Sequence, residues 1–119
     1  MSTHAVDLGR FGEELAAEAL SELGWDILAR NWRCEHGEID VVAFDGVEAV
    51  VVEVKTRRHR GFGAPAEAVT RAKLARLRRL ACAWLAAQPR RFAGVRIDVI
   101  AIDAAPDRPP QIEHLRGVG

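Results

Sequence analysis

Gly37-Glu38-Ile39-Asp40, Val41-Val42-Ala43-Phe44, Asp45-Gly46-Val47-Glu48 and Ala49-Val50-Val51-Val52-Glu53-Val54-Lys55 follow one another without a break, two apolar strands joined by a turn. The stretch places Asp40, Glu53 and Lys55 on strands that ought to be core. A charge taken out of water without a partner costs several kcal/mol even after relaxation, roughly enough to unfold a marginal domain. These three residues must therefore offset one another, or a metal ion must offset the carboxylates.

Strand geometry sharpens the expectation. Side chains alternate between faces, so Glu38, Asp40, Val42 and Phe44 are expected on one face, and Val51, Glu53 and Lys55 on one face of the next strand. Asp45-Gly46 is a strong hairpin-turn dipeptide. A two-residue loop would pair Asp40 with Val51 and leave Glu53 as its diagonal neighbour, roughly 7 Å away. A four-residue loop over 45–48 would pair Asp40 directly with Glu53. Either even length brings both carboxylates and Lys55 to one spot, whereas a three-residue loop would send the carboxylates to opposite faces.

Two carboxylates with a lysine two residues beyond one of them suit hydrolysis of a phosphodiester. Oxygen ligands from Asp40 and Glu53, joined by the Val54 carbonyl and by Glu13, fit a hard ion such as Mg²⁺ or Mn²⁺. Such an ion lowers the pKa of its bound water, and Lys55 is placed to orient that water or to neutralise charge on the reacting phosphate. The plainer alternative is a cross-strand ion pair on one sheet face, worth only ~0.2–1 kcal/mol.

Outward from this hairpin, Leu8, Phe11, Leu15, Ala19 and Leu23 recur at helical spacing over about 7–23, and Gly24 is a natural stop. Glu13 borders the expected apolar stripe, while Glu14 and Glu18 lie on its polar side. Residues 25–34 read as a strand, and a turn at 35–37 precedes strands at about 38–44 and 49–56. A basic, glycine-containing loop from Arg57 to Pro65 is expected to be mobile, with the proline at the first turn of a helix over about 66–87. Val69, Leu74, Leu77, Leu80, Ala81, Trp84 and Leu85 form the apolar face of that helix, and Pro89 ends it. Arg71, Arg76, Arg78 and Arg79 are assigned to the outer face. Lys73 falls between Leu77, Leu80 and Trp84, either snorkelling to the helix edge or facing the same cleft as Lys55. A strand over 95–102 follows, and after a proline-rich turn residues 111–115 suggest a short edge strand within a flexible 104–119 tail. The order α-β-β-β-α-β predicts a single α/β domain over 1–119, a mixed central sheet flanked by helices.

The composition, 49% hydrophobic and 29% charged over 119 residues, is that of an ordinary globular chain. No apolar run of ~18 residues and no basic-then-apolar opening is present, which argues against a membrane span or a secretory leader and places the protein in the cytoplasm. Cys34 and Cys82 match neither a disulfide framework nor a zinc pattern and are expected as buried thiols. The formal net charge is +0, yet residues 57–91 carry ten Lys or Arg against one acid, and residues 1–56 carry four against twelve. A basic stretch beside a carboxylate pair suggests a polyanion held by Arg57, Arg58, Arg60, Lys73 and Arg76 and presented to the metal. Against that, fifteen arginines with only two lysines and much alanine look like a compositional habit with a solvated basic face.

At these residues the chain resembles the YraN family of small bacterial proteins, which looks like a branch of the PD-(D/E)XK nuclease superfamily and is similar in core to Holliday-junction resolvases. The resemblance is carried by Gly9-Arg10-Phe11-Gly12-Glu13 with Ala16, Ile27-Leu28-Ala29-Arg30-Asn31, Gly37-Glu38-Ile39-Asp40 and Glu53-Val54-Lys55-Thr56-Arg57. It continues through Gly63, Pro65 and Glu67-Ala68-Val69 to Lys73 and Arg76-Leu77. It implies a restriction-endonuclease-like fold, Asp40, Glu53 and Lys55 as catalytic residues, and Glu13, Asp40 and Glu53 as ligands of Mg²⁺ or Mn²⁺. Lys73 matches a recurring position of the second helix. Ile39 stands where the superfamily's proline would be. The implied partner is nucleic acid, DNA in the first instance and branched or single-stranded forms among the candidates, with a homodimer left open. The rival expectations are a non-catalytic nucleic-acid-binding or scaffold module of the same fold, and a structural protein whose charges are ion pairs.

Overall fold

The hairpin from Gly37 to Lys55 lies inside a five-stranded sheet. A computed structural model describes residues 3–58 and 69–119, with the elements α1 (Thr3–Glu22), β1 (Asp26–Cys34), β2 (Gly37–Phe44), β3 (Ala49–Arg57), α2 (Arg71–Ala86), β4 (Val95–Asp103) and β5 (Gln111–Leu115). Strand order in the sheet follows chain order. Every neighbouring pair is antiparallel except β3 and β4, which run parallel because α2 carries the chain back between them. This mixed α/β sheet with two helices is the architecture expected from the sequence and is consistent with a restriction-endonuclease-like fold. Three expectations lie outside the described residues: the mobile loop beyond Arg58, Pro65 in the first helical turn, and the placement of Arg60.

Alternation divides the apolar residues between two layers. Val41, Ala43, Val50, Val52, Ile100 and Ile102 pack with Ala16 and Leu20 of α1, while Val42, Ala49, Val51 and Ile97 pack with Leu77, Leu80, Ala81 and Trp84 of α2. Strands buried on both faces explain the nearly unbroken apolar runs in β2 and β3.

The face that α1 buries differs from the expected stripe. Gly12, Ala16 and Leu20 are buried, whereas Phe11 and Leu23 are 44% and 49% exposed. The true contact line is rotated by roughly 80° from the Leu8–Ala19 stripe, at 100° per residue. A Cβ on Gly12 would overlap the Thr56 side chain of β3, so the helix approaches the sheet where it has no side chain at all. A hydrophobic pattern cannot register that contact, because glycine adds nothing to it.

The described part of α2 begins at Arg71. Thr70 is its N-cap, with Oγ1 accepting from the Lys73 N–H at 3.1 Å, so Val69 precedes the helix rather than belonging to its apolar face. At the other end Gln88 Nε2 donates to the Trp84 carbonyl at 3.1 Å, ahead of Pro89. The cysteines were expected to be buried; Cys34 is half-buried and Cys82 is exposed on α2. Among the described residues no helix is long and apolar enough to cross a membrane.

Asp98 is the one fully buried charge among the described residues, and its partners are complete. It accepts from Arg96 Nε at 2.8 Å and Nη2 at 3.2 Å and from the Gly117 N–H at 3.0 Å, and it bonds His114 Nε2 at 2.7 Å. Arg96 also reaches Asp45 and Glu48 in the β2–β3 loop. Burial pushes the Asp98 carboxyl up, but these donors outweigh it and hold the group below the ordinary carboxylate range. The network fixes β5 and the residues after it: the Val118 N–H donates to Ile97, and Arg78 Nη2 to the Gly119 carbonyl.

Candidate functional site

The β2–β3 ladder runs from Phe44 paired with Ala49 to Val41 paired with Val52. The loop is therefore the four-residue alternative over 45–48. Asp45 Oδ1 accepts from the Val47 and Glu48 N–H groups, both at 2.8 Å, and Gly46 supplies the positive φ of 99°. This register sets Asp40 opposite Glu53, one step beyond the last paired residues. There the ladder stops, and Asp40 Oδ2 accepts the Val54 N–H at 2.8 Å. The two carboxyls come close enough to share a proton.

Strict alternation fails at this level, which corrects the expectation that Glu38 shares a face with Val42. Ile39 and Val42, three positions apart, pack in the same layer, and so do Ala29 and Trp32 on β1. Between the latter pair, opposite Asp40 in the register, Asn31 has a φ of 51°, in the left-handed region. The distortion sends Glu38 towards α1. Asn31 Nδ2 donates to Glu13 Oε1 at 2.8 Å and to Glu38 Oε1 at 2.9 Å, and Arg33 Nε donates to Glu38 Oε2 at 3.1 Å. Glu13 is thus tied to β1 through Asn31; Glu14, one residue on, pairs instead with Arg30 at 2.8 Å.

Burial, first, pushes the Asp40 carboxyl up to about 7; the Glu53 charge, the proton shared with it and Glu38 add to the rise, while the Val54 N–H opposes it. Asp98 and Asp40 are both acids on interior strands, but among the described residues only Asp98 has an arginine and a histidine as partners.

Glu53 opens onto a cleft of about 290 Å³ lined also by Lys55, Lys73, Arg76, Val69, Leu77 and Val99. Lys55 is exposed at its mouth, and Lys73 is half-buried, facing the cleft rather than bulk solvent. Arg76 was assigned to the outer face of α2; it instead lies at the rim, with Nη2 3.8 Å from Glu53 Oε2. Arg57 ends β3 and Arg58 follows it, exposed; neither lines the cleft.

A buried carboxyl pushed up by its burial and by a neighbouring carboxylate is a fitting donor for a divalent cation, which would offset both effects. Asp40 and Glu53 are the residues that would hold it. Among the described residues no group of three or more His, Cys, Asp or Glu side chains has metal-ligand geometry, so Glu13 is not gathered into a three-carboxylate set. The sequence singled out Asp40, Glu53, Lys55 and Lys73. It gave no role to Asn31, and Arg76's contact with Glu53 is invisible to it, because both depend on how a kinked strand and a helix start are placed.

Comparison with known proteins adds the family. Residues 12–102 match the model of the uncharacterised protein family UPF0102. A UPF0102 protein of Mycolicibacterium smegmatis is 54% identical over 116 residues, covering 96% of this chain and 94% of its own. One of Acidothermus cellulolyticus is 53% identical over 120 residues, with 92% and 91% covered, and one of Mycolicibacterium vanbaalenii 51% over 113, with 95% and 93% covered.

Proposed function

The chain belongs to the UPF0102 family, and on that footing we propose that it is a cytoplasmic, metal-dependent nuclease-like protein acting on DNA phosphodiesters, branched or single-stranded DNA among them. The observation that carries the reading is Asp40 beside Glu53, with the Asp40 carboxyl pushed up to about 7, and Glu53 lining a cleft that also presents Lys55, Lys73 and Arg76. A raised Asp40 carboxyl next to Glu53, with three cations around the cleft that Glu53 lines, describes a place for a divalent cation and a phosphate together. Mg²⁺ or Mn²⁺ bound there would activate a water and offset charge on the phosphate. Asp40, fixed by the Val54 N–H, and Glu53 would hold the ion, with Glu13 as a further ligand should it leave Asn31. Lys55 carries no ligand atom while protonated, and it serves the attacking water or the phosphate oxygens. Lys73, Arg76, Arg57, Arg58 and Arg60 hold the DNA backbone.

A second reading, a binding module with the same fold and no turnover, is favoured by the two-carboxylate count among the described residues. Incubating the purified protein with duplex, flap, junction and single-stranded DNA in Mg²⁺ or Mn²⁺ decides between them. The nuclease reading expects cleavage of at least one substrate, lost in Asp40→Ala. Retention of every substrate uncut, with binding intact, selects the module.

A further inference from the structure

α2 places Lys73 and Arg76 three residues apart on one helical face, where like charges repel. Both border the cleft, and Lys55 reaches it from β3. Glu53, in reach of sharing a proton with Asp40, is the only carboxylate lining the cleft among the described residues. The rim is in cationic excess. Arg76 is also the one cation among the described residues within ion-pair distance of Glu53, through a single 3.8 Å contact from a side chain 49% exposed.

Resting on the two-carboxylate reading above, we infer that Arg76 is a partner-switching cation. It holds Glu53 until a divalent cation takes that carboxylate, then turns to a phosphate of the bound polyanion, so that metal and polyanion bind cooperatively through one side chain. A long, one-atom, half-exposed pair yields easily to a dipositive ion on the same carboxylate. Leu77, the adjacent residue, is buried, and Thr70 caps the helix start, so the freed guanidinium stays at the rim beside Lys55 and Lys73. There its planar fork of donors matches phosphate oxygens better than an ammonium does. Coupling between two ligands is reciprocal, so each must raise the affinity of the other by one common factor.

The test measures Mn²⁺ binding by calorimetry and binding of a labelled oligothymidylate by anisotropy, each with and without the other ligand, with gel analysis confirming the oligonucleotide intact. The parent should show one coupling factor in both directions. Arg76→Gln should bind Mn²⁺ alone roughly two- to fivefold more tightly, the size of a released exposed ion pair, and its coupling factor should fall by a similar amount. Arg76→Lys should retain part of the coupling. Lys73→Gln, which removes a charge from the same cleft but no ion pair to Glu53, should weaken oligothymidylate binding without tightening Mn²⁺. The switch is overturned if Arg76→Gln binds Mn²⁺ no better than the parent, or if Lys73→Gln tightens it equally. A parent that binds Mn²⁺ while Arg76→Gln changes nothing sinks the switch alone; a parent that binds no Mn²⁺ sinks the two-carboxylate reading with it.

Discussion

Asp40 Oδ2 accepts the Val54 N–H at 2.8 Å just where β2 and β3 cease to pair, so a side chain takes over from the backbone ladder. The exchange satisfies a donor that the parting strands would otherwise leave without a partner, and it pins the Asp40 carboxyl against Glu53. Site and fold are coupled at this point: the opening between the strands makes room for the carboxylates, and one of the carboxylates closes it.

A pH dependence follows for the metal-free protein. The Asp40 carboxyl is raised from 3.8 to about 7 in the fold, so folding favours its protonated form. That contribution is fully present below the unfolded value near pH 4 and is lost as pH rises through about 7. The shift corresponds to at most about 4 kcal/mol, less with screening through the open cleft. Asn at this position keeps an oxygen for the Val54 N–H and removes the buried charge together with its repulsion from Glu53. Urea unfolding of Asp40→Asn at pH 8 in chelator should show about 1–3 kcal/mol more stability than the parent, shrinking towards pH 4. A gain that is the same at both pH values would refute the raised Asp40 carboxyl.

Gly12 should not tolerate a methyl group. Alanine would ordinarily favour a helix by about 0.5–1 kcal/mol, but here its Cβ meets Thr56. Overpacking should dominate, for a net loss of about 1–2 kcal/mol read as a lower melting temperature. Gly12→Ala with Thr56→Ala should recover part of it; a stabilised single variant would mean the helix is free to slide outward.

Asp98→Ala should destabilise by about 3–5 kcal/mol, because Arg96 and His114 lose their common partner in a buried setting. At a temperature low enough to keep the variant folded, Mn²⁺ affinity should match that of the parent, since Asp98 belongs to a different network. A variant as stable as the parent in urea would show that the network is idle.

Much of this architecture was legible beforehand, for reasons particular residues make plain. Asp45-Gly46 between two apolar runs gave the hairpin, and charges inside it gave Asp40 and Glu53. Gly24 stopped α1, with a positive φ of 85°. What escaped was set by tertiary packing: the glycine contact that rotates α1, the kink at Asn31, and the turn of Arg76 towards the cleft. Asp98 carried a readable signal, an acid within Val-Arg-Ile-Asp-Val-Ile, and the same logic that found Asp40 applies to it. Partners distinguish the two, and partners are not written in spacing.

Lys55→Ala separates binding from chemistry. Lys55 is exposed at the cleft mouth and is not a cation ligand, so the variant should keep Mn²⁺ affinity and nearly all DNA affinity while losing cleavage. Its salt dependence of DNA binding should fall by about one phosphate contact at most. Cleavage that persists unchanged would assign the chemistry to other residues.

The measurement that bears most directly on the account is a calorimetric titration of Mn²⁺ into the parent, Asp40→Ala and Glu53→Ala proteins at pH 8, each checked to be folded. The paired-carboxylate site predicts a single binding event in the parent that disappears in both variants. Equal Mn²⁺ affinity in all three would contradict it.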